Sequence, residues 1–252
     1  MTSSHKKLRP SGGYRNSCSF QTATIIYDAT YWFCEKFLDP RSRTVDQMVQ
    51  AARSGRQNIA EGSRAAATSS QTELRLVNVA RASLDELLLD YEDFLRHRHM
   101  RQWEPDCDKA MAVRNVPRNY HNNNQSDLTD LSDEQRWELY APWLESDDPA
   151  IRANAIICLI HQANYLLDRQ IAGLEEQFIT EGGYSEQLAT ARLANRVKQK
   201  EQYNQMSTDT LIPDCPKCGK TMVLRTAHTG KNEGKQFWGC SAYPECNGTA
   251  QC

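Results

Sequence analysis

The spacing of four cysteines near the C-terminus constrains the fold of this chain more than any other feature. Cys215 and Cys218 are separated by two residues, and Cys240 and Cys246 by five. Each pair lies on a sequence typical of a turn, and such turns direct backbone N–H groups at thiolates, as a tetrahedral four-cysteine site requires. The pattern therefore predicts one structural Zn²⁺ bound by these four side chains in a small zinc ribbon at 207–252.

Two other interpretations of the cysteines remain open at this stage. The four side chains could be buried free thiols, and Cys252 could replace Cys246, although no turn residues precede Cys252. A catalytic zinc ion is disfavoured, because four thiolates leave no coordination position for a water molecule.

The segment around the cysteines also resembles a known family. It reads Cys-Pro-Lys-Cys-Gly-Lys-Thr-Met-Val-Leu-Arg from position 215 and Gly-Lys-Gln-Phe-Trp-Gly-Cys-Ser-Ala-Tyr-Pro-Glu-Cys-Asn-Gly-Thr from position 234. In this it is similar to the C-terminal zinc ribbons of bacterial type I topoisomerases, which bind single-stranded DNA. The resemblance implies contact with nucleic acid, although the rest of the chain has no room for a topoisomerase catalytic domain.

Cations of the ribbon can contact phosphates, and its aromatic side chains can stack on unpaired bases. The candidate phosphate contacts are Lys217, Lys220, Arg225, Lys231 and Lys235. The candidate stacking residues are Phe237, Trp238 and Tyr243. The alternative is that the aromatic residues form the ribbon's own core. We favour that alternative for Phe237 and leave it open for Trp238 and Tyr243.

The rest of the chain has the apolar periodicity of long amphipathic helices. Apolar residues recur at three- and four-residue steps over 22–38, 44–64, 70–95 and 149–181. Ser70 with Glu73 has the signature of a capping box, and Asp148 before Pro149 that of an N-cap. The pattern predicts a mainly α fold, an antiparallel up-and-down four-helix bundle followed by a small β zinc ribbon.

Changes in composition divide the chain into four parts. We predict a flexible basic arm at 1–18, the bundle at 19–183 with an acidic insertion at 101–147, a helical connector at 184–206 and the ribbon at 207–252. Within the insertion, the polar run at 119–126 has a linker composition. One short helix is expected at about 133–144, capped by Ser132 with Gln135.

The helical part resembles a second family. Asn-Ile-Ala-Glu-Gly at 58–62 and Ala-Ser-Leu-Asp-Glu-Leu at 82–87 carry the match. They resemble the four-helix-bundle family that includes proteins encoded in ribosomal RNA intervening sequences and the accessory variability determinants of diversity-generating retroelements. A bundle followed by a topoisomerase-type ribbon also resembles a suffix-domain branch of that family. The resemblance implies a homopentamer without enzymatic activity that binds structured RNA or a reverse transcriptase. The insertion departs from the shorter connection typical of that family.

A basic stripe lies beside the apolar face of the second helix. At about 100° per residue, one side of that helix carries Arg53, Arg56, Gln57 and Arg64. Such a stripe can contact phosphates, or it can be a solvated face or an intersubunit ion-pair seam with Glu61. Arg81 lies within the apolar stripe of the third helix. An unpaired charge there is costly, so we expect it to pair with a carboxylate such as Glu61 or to face another subunit.

Several classes of function are disfavoured by the sequence. No stretch of roughly 18 apolar residues is available to span a bilayer, and scattered cysteines outside the ribbon favour a reducing compartment, so we expect a soluble, cytoplasmic protein without a membrane partner. The chain has no Ser-His-Asp order, phosphate loop or catalytic carboxylate pair, which argues against an enzyme. His97 and His99 could be a metal pair, but cations near a helix C-terminus explain them more simply.

These observations predict a non-enzymatic nucleic-acid-binding accessory protein. The expected ligand is RNA and/or single-stranded DNA, and the expected protein partner is the reverse transcriptase of a diversity-generating retroelement, whose template RNA or cDNA the protein would grip. The alternative is an oligomeric protein-interaction scaffold with a purely structural zinc ribbon, whose acidic insertion binds a basic partner.

Overall fold

The computed structural model describes residues 12–67, 69–208, 212–229 and 232–251, with residues 181, 184 and 203–208 described by their backbone alone. Over these residues the chain is mainly helical, and a small three-stranded antiparallel sheet lies near its C-terminal end. The chain divides into two compact units, Met1–Gln187 and Leu188–Cys252. Within the described part, every helix lacks the length or the apolar character that a membrane span needs.

The helices that the sequence predicts are present, with ends close to the expected residues, and two short helices accompany them. They are α1 (Cys18–Phe37), α2 (Arg43–Ala65), α3 (Ser70–His97), α4 (Asp108–Arg114), α5 (Val116–Asn124), α6 (Asp133–Leu144), α7 (Pro149–Glu181) and α8 (Tyr184–Thr208). The predicted N-cap of α7 is confirmed, because the Asp148 carboxylate accepts the N–H of Ala150. The N-cap of α3 is Ser69 rather than Ser70, since its hydroxyl accepts the N–H of Thr72 at 3.1 Å.

Four long helices share one hydrophobic core. α1 packs against α2 and α7, and α3 packs against the same two helices. The largest fully buried side chains include Phe33, Met48, Leu84, Leu87, Tyr91, Ile156 and Leu159. Deep in this core the hydroxyl of Tyr91 donates a hydrogen bond of 3.1 Å to Thr30 Oγ1. The apolar stripes that predicted these helices are therefore the surfaces that pack.

The insertion at 101–147 contains more helix than expected. The prediction of one helix at 133–144 is confirmed as α6, including its Ser132–Gln135 capping box. The structure adds α4, which packs against α7, and α5, which covers most of the run interpreted as a linker. Within α5 only Val116 is buried. A helix with so little buried surface leaves no apolar period in the sequence, so the linker interpretation was wrong.

A buried arginine anchors the start of α6. Arg136 is only 5% exposed, and its guanidinium donates to the carbonyl oxygens of Leu128 at 3.1 Å and Leu131 at 2.5 Å and pairs with Asp133. α6 itself packs against α7 and α1. The acidic insertion is thus part of the packed helical unit.

The first part of the predicted basic arm, residues 1–11, lies outside the described residues. From Gly12 onward the chain contacts the helices. The Gly12 amide donates to the Ser63 carbonyl oxygen at 3.3 Å, and the Tyr14 ring meets the Phe20 ring edge-on at 4.7 Å. The ring of Tyr14 supplies the apolar surface for the contact with Phe20.

The second unit contains the sheet. Its strands are β1 (Met222–Thr226), β2 (Gln236–Cys240) and β3 (Thr249–Gln251), paired antiparallel in that order. Met222 lies opposite Cys240, and Arg225 lies opposite Phe237. Because side chains alternate along a strand, Met222, Trp238 and Cys240 share one face, whereas Arg225 and Phe237 share the other. The first face carries the ribbon's small core.

Candidate metal centre

The four cysteines predicted to bind zinc converge at one end of the sheet. The sulfur atoms of Cys215, Cys218, Cys240 and Cys246 all lie within 4.8 Å of one another. The Cys218 and Cys240 sulfurs are 3.4 Å apart, and those of Cys215 and Cys246 are 3.8 Å apart. Sulfurs at the corners of a tetrahedron around zinc, with bonds of about 2.3 Å, are about 3.8 Å apart. The cluster therefore matches one structural Zn²⁺.

The first ligand pair lies on a tight turn before β1. The Cys215 amide donates to the Lys220 carbonyl oxygen at 2.8 Å, and the Gly219 amide donates to the Cys215 carbonyl oxygen at 2.9 Å. Gly219 has a φ of 69°, a conformation that favours glycine because it has no Cβ. The turn brings the sulfur of Cys218 back toward that of Cys215.

The second ligand pair is formed by the end of β2 and the turn that follows. The Ala242 amide donates to the sulfur of Cys240 at 3.4 Å, and the Cys246 amide donates to the Ala242 carbonyl oxygen at 3.0 Å. Gly248 then passes so close to the Cys215 sulfur that a Cβ at this position would overlap it. Sequence analysis missed Gly248, whose only signal is its position two residues after the last ligand.

The thiols of the cluster ionise unequally without a cation. The Lys217 amide is the main reason why the pKa of Cys215 falls to about 7. At Cys240 the Ala242 amide also favours the thiolate, but burial and the neighbouring Cys218 thiol outweigh it and raise the pKa to about 12. Thiolates this close repel one another, and a divalent cation removes that repulsion. The donor set therefore suits Zn²⁺.

The burial of the four cysteines and the identity of the fourth ligand bear on the two alternatives left open by the sequence. Four buried free thiols do not fit, because Cys218 is exposed and Cys246 is only half-buried. Cys246 is the fourth member of the cluster, and Cys252 lies outside the described residues.

The candidate phosphate contacts of the ribbon are all on its surface. Exposed cations are Lys217, Lys220, Arg225 and Lys235, whereas Lys231 lies outside the described residues. The Lys217 ammonium donates to Asn247 Oδ1 at 2.7 Å, a contact that sequence analysis did not anticipate. The Arg225 guanidinium lies over the Tyr243 ring, 5.3 Å from its centroid. Arg225 and Tyr243 thus form one cation–π pair.

The aromatic residues of the ribbon divide between its two faces. Trp238 packs against the core formed by Cys215, Met222 and Cys240. Phe237 is half-buried on the opposite face, and Tyr243 is 60% exposed. The expectation that Phe237 belongs to the core was wrong, because Cys240 must face the cluster and only residues two apart share a face. That core position belongs to Trp238.

The predicted basic stripe lies on α2. Arg53 and Arg64 are exposed, and Arg56 is half-buried. The Arg56 guanidinium lies 4.2 Å from the centroid of the Tyr27 ring, and Arg64 lies 5.5 Å from that of Tyr14 and donates to its hydroxyl oxygen at 3.3 Å. Tyrosines therefore orient two of the three arginines.

Arg81 has carboxylate partners, as expected, but they are not Glu61. Its guanidinium donates to Asp85 at 2.9 Å on the same helix and to Asp168 on α7 at 2.5 Å. The pKa of Arg81 rises, chiefly because of the hydrogen bond to Asp168. Its charge is thus neutralised where α3 packs against α7.

The two histidines lie where α3 ends. His97 is in the last turn beside Arg96, and His99 follows with a φ of 56°. Cations in the last turn match the helix-end interpretation. In the described ranges, the cysteine cluster is the group of three or more metal-binding side chains that lie close together.

The ribbon matches a known protein family. The family described as "Topoisomerase DNA binding C4 zinc finger" matches residues 212–252. Searches of curated proteins and of solved structures gave no match for the chain. The match covers the metal centre and the sheet around it.

Proposed function

We propose that this chain is a non-enzymatic accessory protein that binds nucleic acid through its zinc ribbon. The ligand is single-stranded DNA or RNA with exposed bases. The match to a DNA-binding zinc finger family supports this proposal, and so does the chemistry of the ribbon surface.

The observation that carries the proposal is the Arg225–Tyr243 pair. It combines a guanidinium with a ring that is 60% exposed, and half-buried Phe237 lies beside Arg225 on the same face of the sheet. Single-strand binders use this combination, because the cation meets a phosphate while the ring stacks on a base. Zinc holds the two strands that carry Arg225 and Phe237 in register without contacting the ligand.

The helical unit is proposed to supply the protein partner and the assembly. Pairwise packing of α1, α2, α3 and α7 suits an antiparallel up-and-down four-helix bundle. The resemblance of 58–62 and 82–87 to the retroelement accessory family supports a homopentameric ring that acts in the cytoplasm with a reverse transcriptase. The arginines of α2 would add phosphate contacts to those of the ribbon.

The proposal is tested by fluorescence anisotropy with a labelled single strand of about 15 nucleotides. Arg225→Gln combined with Tyr243→Ala should weaken binding by about 2 kcal/mol, roughly 30-fold, because a stack and a phosphate contact are both lost. Binding to duplex DNA should change less, since its bases are already stacked.

The matched control is Tyr165→Ala, which removes a tyrosine on α7 that is 61% exposed, much as Tyr243 is. It should leave the affinity unchanged. Zinc content must be the same in all variants, to show that the ribbon remains folded. If the intact protein binds neither RNA nor single-stranded DNA, the proposal is wrong and the scaffold alternative takes its place.

A further inference from the structure

A groove of about 1080 Å³ lies along α2 and α3, in the helical unit. One wall is formed by the first half of α2 and the other by residues 83–90 of α3, with Tyr31 of α1 at one side. It shares no residue with the metal centre or with the arginine stripe, so neither of these explains it.

The apolar part of the groove is unusually exposed. Leu89 is 60% exposed and Tyr31 is 49% exposed, while Val45 and Val49 are half-buried against the core. Exposed apolar side chains beside a groove offer surface that a partner could bury.

The charged part of the groove is mainly acidic. Asp46, Glu86 and Asp90 line it, against one cation, Arg43. Ion pairs among the described residues involve other carboxylates. The pKa of Asp90 is raised, chiefly by burial and then by repulsion from Asp93 and Glu86.

This combination limits what can occupy the groove. Phosphate groups of nucleic acid or of an anionic membrane would be repelled. A metal ion is not favoured either, because in the described part of the chain only the cysteines form a group of three or more ligand atoms close together. The remaining candidate is a partner with both cations and apolar side chains.

We propose that this groove binds a lysine- or arginine-rich amphipathic helix of a partner protein. The apolar stripe of that helix lies on Leu89 and Tyr31, and its cations face Glu86 and Asp90. A groove between two helices accepts a third helix by the same packing that holds the core together. The site is independent of the ribbon and of nucleic-acid binding.

The test uses the full-length protein and a labelled peptide of about 18 residues, roughly five helical turns, built from Leu and Lys in an amphipathic pattern. The reference peptide has Glu in place of every Lys. The Leu/Lys peptide should bind and the Leu/Glu peptide should not. Combining Glu86→Gln with Asp90→Asn should weaken binding roughly tenfold, and Leu89→Ser alone about as much.

Two control variants with the same charge change separate this groove from general attraction. Glu175→Gln with Glu176→Gln neutralises two exposed acids on α7, and Glu134→Gln with Glu138→Gln neutralises two on the acidic insertion. Both should bind the peptide like the unmodified protein. Equal losses in the groove and control variants would overturn the proposal, as would binding of the Leu/Glu peptide.

Light scattering of the same variants distinguishes a second copy of this chain from a different partner. The groove variants should keep the oligomeric state of the unmodified protein. If Leu89→Ser dissociates an oligomer and the peptide does not bind, the groove is a contact between copies and the proposal is wrong. Retained single-strand binding in every variant keeps this outcome separate from the function of the ribbon.

Discussion

The buried hydrogen bond between Tyr91 and Thr30 shows how one polar contact orders the helical core. Both residues are fully buried, and the bond ties α3 to α1. Burial raises the pKa of Tyr91 well above its ordinary value, so its hydroxyl stays protonated and available as a donor. Phe33 packs edge-on against the same ring, with centroids 5.0 Å apart.

Tyr91→Phe should therefore lower the free energy of unfolding of the helical unit by about 1 kcal/mol, because the Thr30 hydroxyl loses a partner while the ring still fills its space. Urea unfolding followed by helical circular dichroism measures this change. The control is Tyr165→Phe at a position 61% exposed, where no change is expected. Equal stability of both variants would mean that the buried bond contributes nothing net.

At the scale of single residues, the sequence identified the zinc ligands but not the core residue of the ribbon or the partners of Arg81. Spacing and the turn residues around each pair predicted Cys215, Cys218, Cys240 and Cys246, because ligand geometry restricts both tightly. The choice of Trp238 over Phe237 for the core depends on strand register, which a segment this short does not reveal. A salt-bridge partner such as Asp168 for Arg81 depends on how two distant helices align.

Among the elements, those that bury a full apolar stripe were predictable. α1, α2, α3 and α7 have such stripes, and their positions match the predictions closely. α4 and α5 are short, so too few residues are available to define a period. They become stable through contacts with the rest of the unit, as α4 does on α7.

The ribbon is the element whose stability depends on metal. Cys218→Ser or Cys240→Ser should unfold the ribbon alone, because a segment this short has too little core without the energy of zinc binding. The bound zinc should fall from one ion per chain toward none, while the helical signal persists. Metal analysis with hydrogen exchange of β1 and β2 checks both results.

Cys18→Ser is the appropriate comparison for these variants, since Cys18 is exposed at the start of α1 and is not a ligand. It should retain zinc and a folded ribbon. An unmodified protein with well under one zinc ion per chain would contradict the assignment of a structural site.

At the scale of the whole molecule, the proposed ring predicts the molecular mass of the assembly in solution. The protein should self-associate at micromolar concentration, with five copies as the expected number, through helix surfaces that flank the Arg53–Arg64 stripe. Multi-angle light scattering measures this directly. A monomer under these conditions would remove the basis for the ring and for any avidity that depends on it.

The two basic elements of the molecule predict how its affinity for nucleic acid depends on salt concentration. If the ribbon cations and the α2 arginines both contact phosphates, affinity for structured RNA should fall steeply as salt rises. Replacing Arg53, Arg56 and Arg64 together by Gln should make the log–log slope shallower by about one per lost contact. An unchanged slope would assign these arginines to a solvated face or to subunit contacts.

The close approach of Gly248 to the Cys215 sulfur has a consequence for recognising such ribbons in other genomes. Any side chain at this position would displace a sulfur that the metal holds fixed. A search pattern that records only the intervals between cysteines therefore omits a residue on which this tetrahedron depends. A pattern that also requires glycine two residues after the fourth cysteine would describe this ribbon more completely.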